Sequence, residues 1–287
     1  MRILIFGADG QLGNQLIKSV NKQFIPLRRK DCDFSKLDLI AKVVDIHNPD
    51  IIINTAAYTN VDGAEDEIDL AYRINCEAPS ILAKKAKDKN IPFIHFSTDY
   101  VFDGKKNKNY IEDDIKAPIN IYGASKLEGE NQIKKINGDY FIFRTSWLYS
   151  NYRDNFYLKI KKKIDLDQDI KVVNDQIGVP TPCSFVARQI SQILMSLNKE
   201  NKGIYHLVPN GFCSWFDFAK AIVIEEAEKY NLSRISPVLS RDYPSKAKRP
   251  LMSAMSNEKI KLTFSLKIYD WLEEYKVFYN KFVKNEN

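Results

Sequence analysis

Ile3-Leu4-Ile5-Phe6-Gly7-Ala8-Asp9-Gly10-Gln11-Leu12-Gly13 stands almost at the start of the chain. The four apolar residues read as a buried strand, and Leu12–Val20, with apolar residues three and four apart, as a helix. Three glycines join them, and each has its own use. Gly7 permits a tight turn, Gly10 lets backbone amides approach a pyrophosphate, and Gly13 lets the helix pack closely on the strand. The uncapped amides at a helix start add a partial positive charge. This arrangement of strand, glycine turn and helix predicts a dinucleotide site.

Further along, the same alternation repeats. Strand-length apolar runs occur at Phe24–Leu27, Ile51–Asn54, Phe93–Ser97 and Tyr140–Thr145, separated by helical stretches at Leu37–His47, Ile68–Lys87 and Ser125–Ile136. Unbroken apolar strands alternating with helices predict an α/β, Rossmann-like, doubly wound parallel sheet covered on both faces. The second half predicts helices at Ser184–Leu197, Trp215–Tyr230 and Tyr269–Phe282 and a short strand at Gly203–Leu207, punctuated by prolines. It reads as a smaller mixed lobe for substrate, on the carboxyl ends of the strands. The expected division is 1–150 for the dinucleotide and 151–287 mainly for the substrate, with the chain crossing between lobes.

Composition narrows the partners. Residues 1–150 hold 21 basic and 21 acidic side chains and residues 151–287 hold 22 and 16, so the net +6 lies in the second half. That excess is too small and too scattered for a nucleic-acid surface. Cys32, Cys76, Cys183 and Cys213 form no CxxC pair, which fits reduced thiols in a cytoplasmic protein. No apolar run reaches the roughly 18 residues of a membrane span. His47, His95 and His206 have no metal-ligand spacing, and no metal site is predicted.

Arg28-Arg29-Lys30 follow the second strand, where an arginine accommodates a ribose 2′-phosphate and an acid would hold a free 2′-hydroxyl. Arg28 and Arg29 therefore predict NADPH, while Asp31 and Asp33 leave NADH open. Tyr122 and Lys126, four residues apart, share one helix face. A tyrosine next to an ammonium makes a proton donor for a carbonyl being reduced. Tyr157 and Lys161 repeat the spacing but have no strand end just before them, whereas Tyr122 follows the end of the fourth strand. There Ser97 and Thr98 offer hydroxyls to a substrate carbonyl.

These residues resemble the extended short-chain dehydrogenase/reductase family, and the likeness runs through most of the chain. Besides the glycine turn and Tyr122–Lys126, it includes Asn54–Asp62, Ser97–Gly104, Arg144–Trp147, Asp175–Thr181 and Arg249–Ser253. The resemblance implies that Gly10, Gln11 and Leu12 contact the dinucleotide, with Asp33 and Phe34 at its adenosine half. Ala56, Ala57, Tyr58 and Thr59 would line it. Tyr122 would donate the proton, with Lys126 and Thr98 completing the catalytic set. Asp99 and Trp147 would touch a sugar, and Arg249 would lie near a nucleotide diphosphate. The implied reaction is stereospecific reduction of the 4-keto group of dTDP-4-dehydro-L-rhamnose by NADPH or NADH.

Some relatives dimerise around a magnesium ion held partly by a glutamate in the first helix. Here that place is Gln15, so a homodimer is expected without that metal. Other nucleotide-sugar enzymes remain as alternatives. A 4,6-dehydratase needs an acid after Thr98-Asp99, where this chain has Tyr100. A 4-epimerase and a dinucleotide-binding regulatory subunit also share the Tyr/Lys pair. Arg241, Lys246, Lys248 and Arg249 read either as a diphosphate clamp or as a solvated loop, and the aromatic C-terminal helix reads as core.

Overall fold

Six strands, Arg2–Phe6, Gln23–Leu27, Ile51–Asn54, Phe93–Thr98, Tyr140–Thr145 and Gly203–His206, form one parallel sheet. The computed structural model describes residues 1–20, 22–226 and 234–284. Numbered along the chain, the strands lie in the order 6-5-4-3-1-2, with Ile5 beside Ile53 and His95 beside both Asn54 and Ile142. Helices cover both faces, so the inner strands are apolar on both sides. The strand order reverses between the first and third strands, and ligands bind beyond the carboxyl ends at such a reversal.

Two departures from the expected elements bear on function. Ile68–Lys87 is not one regular helix: Arg73–Glu77 is a π-helical stretch between Ile68–Tyr72 and Ala78–Asp88. There the Ala78 amide bonds the Arg73 carbonyl, just before Pro79, which has no N–H to continue the α ladder. The helix carrying Tyr122 starts at Ile121 rather than Ser125, because Asn120 caps it by accepting from the Gly123 amide at 2.8 Å. Gly123 is required at that point, since a Cβ there would lie 2.1 Å from the Tyr100 carbonyl oxygen.

The strand Gly203–His206, expected in the smaller lobe, pairs instead with Tyr140–Thr145 in the main sheet. Helix Cys183–Ile193 likewise contributes to the core that includes the first helix. A separate core gathers Tyr149, Tyr157, Ile170, Phe218, Ile222, Tyr275 and Phe278. The C-terminal helix, Trp271–Phe282, thus packs Tyr275 and Phe278 inward, while Tyr269 just before it is exposed. A helix runs over Trp215–Glu226 as expected, and the expected continuation to Tyr230 lies outside the described residues. Among the described residues no helix is long and apolar enough to cross a membrane.

Candidate active site

A cavity of about 730 Å³, within the usual size of small-molecule sites, opens at the carboxyl ends of the strands. Its floor is the glycine turn. Gly7 has φ +78°, and a Cβ there would meet the Ala56 nitrogen at 2.6 Å. A Cβ on Gly13 would lie 2.2 Å from the Gly7 carbonyl oxygen, so helix and turn touch directly. Gly13 does not itself line the cavity, but Gly7, Gly10, Gln11 and Leu12 do. No side chain caps the helix at Gly10 and no acid sits in its first turn, leaving its amides for an anion. The residues present therefore fit a pyrophosphate.

Along one side run Arg29, Asp33 and Phe34, and Ala56, Ala57 and Thr59 face them. Arg28 and Tyr58 do not line the cavity. Arg29 Nε reaches Asp33 at 3.4 Å, and Asp33 also accepts from the Ser35 amide at 2.9 Å. Chiefly that amide, opposed by burial and aided by Arg29, holds the Asp33 carboxyl below its ordinary value. The rim thus carries an arginine and an aspartate in one pair. Tyr58 turns its hydroxyl to Glu67, which pushes the phenol up to about 12. Its backbone is held at both ends by Asn75, whose amide accepts from the Tyr58 N–H at 2.9 Å and donates to its carbonyl at 3.1 Å. Asn75 lies in the π-helical stretch and also donates to Ser125 Oγ at 3.0 Å, linking this wall to the Tyr122 helix.

The sheet's carboxyl edge supplies Ser97, Thr98, Asp99 and Thr145, and the helix Ile121–Ile136 supplies Tyr122 and Lys126. Thr98 donates to Asp99 at 3.0 Å and stands beside the Tyr122 hydroxyl. Burial pushes Tyr122 up to about 12, against the Thr98 hydroxyl and with help from Asp99. The ammonium effect expected of Lys126 on Tyr122 is absent, because Lys126 turns its amine to the Phe96 carbonyl at 2.6 Å and to His95 at 3.2 Å. Burial brings Lys126 down to about 8, opposed by Glu130. Burial also raises Asp99 to about 7, while the Ser253 and Thr98 hydroxyls lower it. Ser97 Oγ and Thr145 Oγ1 are buried with no hydrogen-bond partner among the described residues, so polar ligand atoms would satisfy them. Tyr157, by contrast, is sealed in the second core.

Trp147 lines the cavity with φ +45°, a conformation a bulky side chain adopts only where its surroundings enforce it. It lies flat on Trp215, ring centres 3.5 Å apart and planes 8° apart, over Gly178. Trp215 went unrecognised as a site residue, since it reads locally only as a helix start. So did the segment 153–156, which reaches back over the glycine turn. There Arg153 pairs with Asp9 at 3.3 Å, and Asn155 and Ser150 both bond the Gln11 side chain.

Arg249 does not line the cavity. It grips Asp62 at 2.9 Å and holds that carboxyl below its ordinary value. Lys246 pairs with Asp66, Arg241 and Lys248 are exposed, and the Lys248 carbonyl accepts from Asn120. The basic segment is thus a staple joining residues 241–249 to the short helix Val61–Ala64 with its flanks and to the cap of the Tyr122 helix.

A doubly wound sheet with this glycine turn and a Thr-Tyr-Lys set lining the same cavity has the plan of a short-chain dehydrogenase/reductase. The chain belongs to the family described as the RmlD substrate binding domain, whose model matches residues 1–284. It is 38% identical to the dTDP-4-dehydrorhamnose reductase of Burkholderia thailandensis, over 94% of this chain and 95% of that one. The reductase of the same name from Escherichia coli K12 is also 38% identical, with 94% of each chain covered. A crystal structure of dTDP-4-dehydrorhamnose reductase from Bacillus anthracis in complex with NADP superposes with a TM-score of 0.92. It is 37% identical and covers 98% of this chain and 99% of that one.

Proposed function

We propose that this chain reduces the 4-keto group of dTDP-4-dehydro-L-rhamnose, using NADPH, to give dTDP-L-rhamnose. The observation that carries this reading is the convergence of Thr98, Tyr122 and Lys126 on one cavity whose floor is the uncapped glycine turn. When bound, the reduced nicotinamide supplies the hydride. Tyr122 gives its proton to the oxygen that becomes the alcohol, and as a phenol it carries that proton at neutral pH. Thr98 steadies that oxygen as charge develops.

In this reading Gly7, Gly10, Gln11 and Leu12 hold the pyrophosphate. Arg29, Asp33 and Phe34 bound the adenosine half, and Ala56, Ala57 and Thr59 line the wall. Gly13, Tyr58 and Arg249 act by building that wall rather than by facing the cavity. Asp99 and Trp147, with Trp215 behind it, form the sugar end. Arg29 leaves Asp33 for a 2′-phosphate when NADPH binds, and Asp33 serves the ribose diol when NADH does. Residues 1–150 provide most of the cofactor half and 151–287 most of the sugar half. The protein acts in the cytoplasm, as a homodimer that light scattering of the purified protein would detect.

The test is to follow dihydronicotinamide absorbance with NADPH and dTDP-4-dehydro-L-rhamnose. Sugar-dependent loss of absorbance is expected. NADPH binding without any turnover would instead favour a regulatory subunit or another keto sugar.

A further inference from the structure

His95 lies on the fourth strand, fully buried, and the reaction as described leaves it without a task. Its ring joins two polar side chains. Asn54 Nδ2 stands 3.1 Å from Nδ1, and Lys126 Nζ stands 3.2 Å from Nε2. Asn54 has only one workable orientation, because its Oδ1 accepts from the Ala56 amide at 3.0 Å. Turned over, its NH₂ would face that N–H. Asn54 therefore donates to His95 Nδ1, which must carry the lone pair. Burial opposes an imidazolium, so the ring's single proton sits on Nε2 and points at Lys126. An ammonium has no lone pair to receive it, whereas an amine has one and can still donate to the Phe96 carbonyl.

We propose that His95, its tautomer fixed by Asn54, is a positioning residue that offers Lys126 a donor in place of an acceptor and so makes the lysine give up its proton more readily. Lys126 passes its proton on after Tyr122 has protonated the product oxygen, and then regains one from solvent. One proton is consumed per ketone reduced, and the amine left after the transfer is the form that His95 stabilises. This role rests on the reductase reading of Tyr122 and Lys126. The other groups facing the pair are few. Glu130, one turn beyond Lys126, favours the ammonium, but Arg144 holds both its oxygens at 2.7 and 2.9 Å. Tyr122, one turn before, is a phenol, and Phe93 stacks on the His95 ring.

The test uses the full chain labelled with ¹⁵N in its three histidines, read by long-range proton–nitrogen correlation at pH 7. His95→Gln assigns the His95 signals. His206 is an internal reference of the opposite kind, because its Nδ1 faces the Ser256 carbonyl at 3.0 Å and must donate to it. Neutral His95 with its proton on Nε2 is the expected result. A proton on Nδ1, or an imidazolium, would overturn the proposal, and neither outcome depends on the keto sugar being the right substrate.

Asn54→Asp offers an acceptor to Nδ1, so the tautomer should reverse and Nε2 should then accept from an ammonium. The alkaline limb of kcat/KM should rise by about one pH unit in Asn54→Asp and in His95→Gln, as the ammonium gains a partner. A limb that stays in place, or moves down, sinks the proposed role. Melting curves and NADPH binding on each variant separate this from misfolding.

Discussion

Two positive side chains are buried in neighbouring elements and treated in opposite ways. Arg144 on the fifth strand is fully buried and meets Glu130 through two parallel bonds, with the Phe102 ring 5.3 Å from its guanidinium carbon. Lys126, one helical turn from that same Glu130, has no carboxylate of its own, only a carbonyl and an imidazole. A paired charge in a dry interior is fixed, while an unpaired one is easily made neutral. The arginine therefore ties helix to strand, and the lysine is left free to change protonation state. The same helix serves both ends.

The contrast breaks most sharply at Glu130. Glu130→Gln leaves Arg144 charged and unpaired, and chemical denaturation should show a loss of roughly 3–5 kcal/mol of stability. Tyr122→Phe should do the reverse, keeping stability and NADPH binding while turnover falls at least about 100-fold, near 3 kcal/mol of barrier. Turnover within a few fold of the parent would rule Tyr122 out as the donor. An exposed cation sharpens the series. Arg29, its side chain 73% exposed, should cost almost no stability as Arg29→Ala, since surface pairs contribute little. Its loss should weaken NADPH about tenfold more than NADH in direct binding titrations. Equal losses would remove it from the 2′-phosphate.

The smallest effect concerns Lys126 itself. Its folded value, about 8, is below the ordinary 10.5, so between the two the unfolded chain binds the extra proton. Stability therefore rises with pH across that window, and below it the full cost of burying the charge is felt. Lys126→Met should be more stable than the parent by about 1 kcal/mol at pH 7, with the gap closing toward pH 10. A gap that does not change with pH would mean the lysine stays charged.

How far such residues can be read from sequence depends on distance along the chain. The first five strands match their expected bounds to within one residue, the inner ones because a strand buried on both faces is an unbroken apolar run. The glycine turn and Tyr122–Lys126 were legible for a similar reason, since their geometry is set within a few neighbours. Trp215 and Arg249 were not. Trp215 reaches the cavity only because the second core packs it against Trp147, and Arg249 was expected at a phosphate but meets Asp62, 187 residues away. The π-helical turn at Asn75 was hidden too. It depends on Gly129 letting the helices close, where a Cβ would come within 2.2 Å of the Asn75 carbonyl.

The return of Gly203–His206 to the main sheet also has a consequence for biosynthesis. A ribosome that has released the first 150 residues has delivered every expected dinucleotide-binding group, yet Tyr140–Thr145 is still an open, apolar edge. Such an edge invites pairing with other nascent chains. It stays uncovered until some sixty further residues emerge, at roughly 5–20 residues per second. The sheet is therefore completed late, and a chain cut near residue 150 should aggregate rather than fold into a smaller cofactor-binding protein.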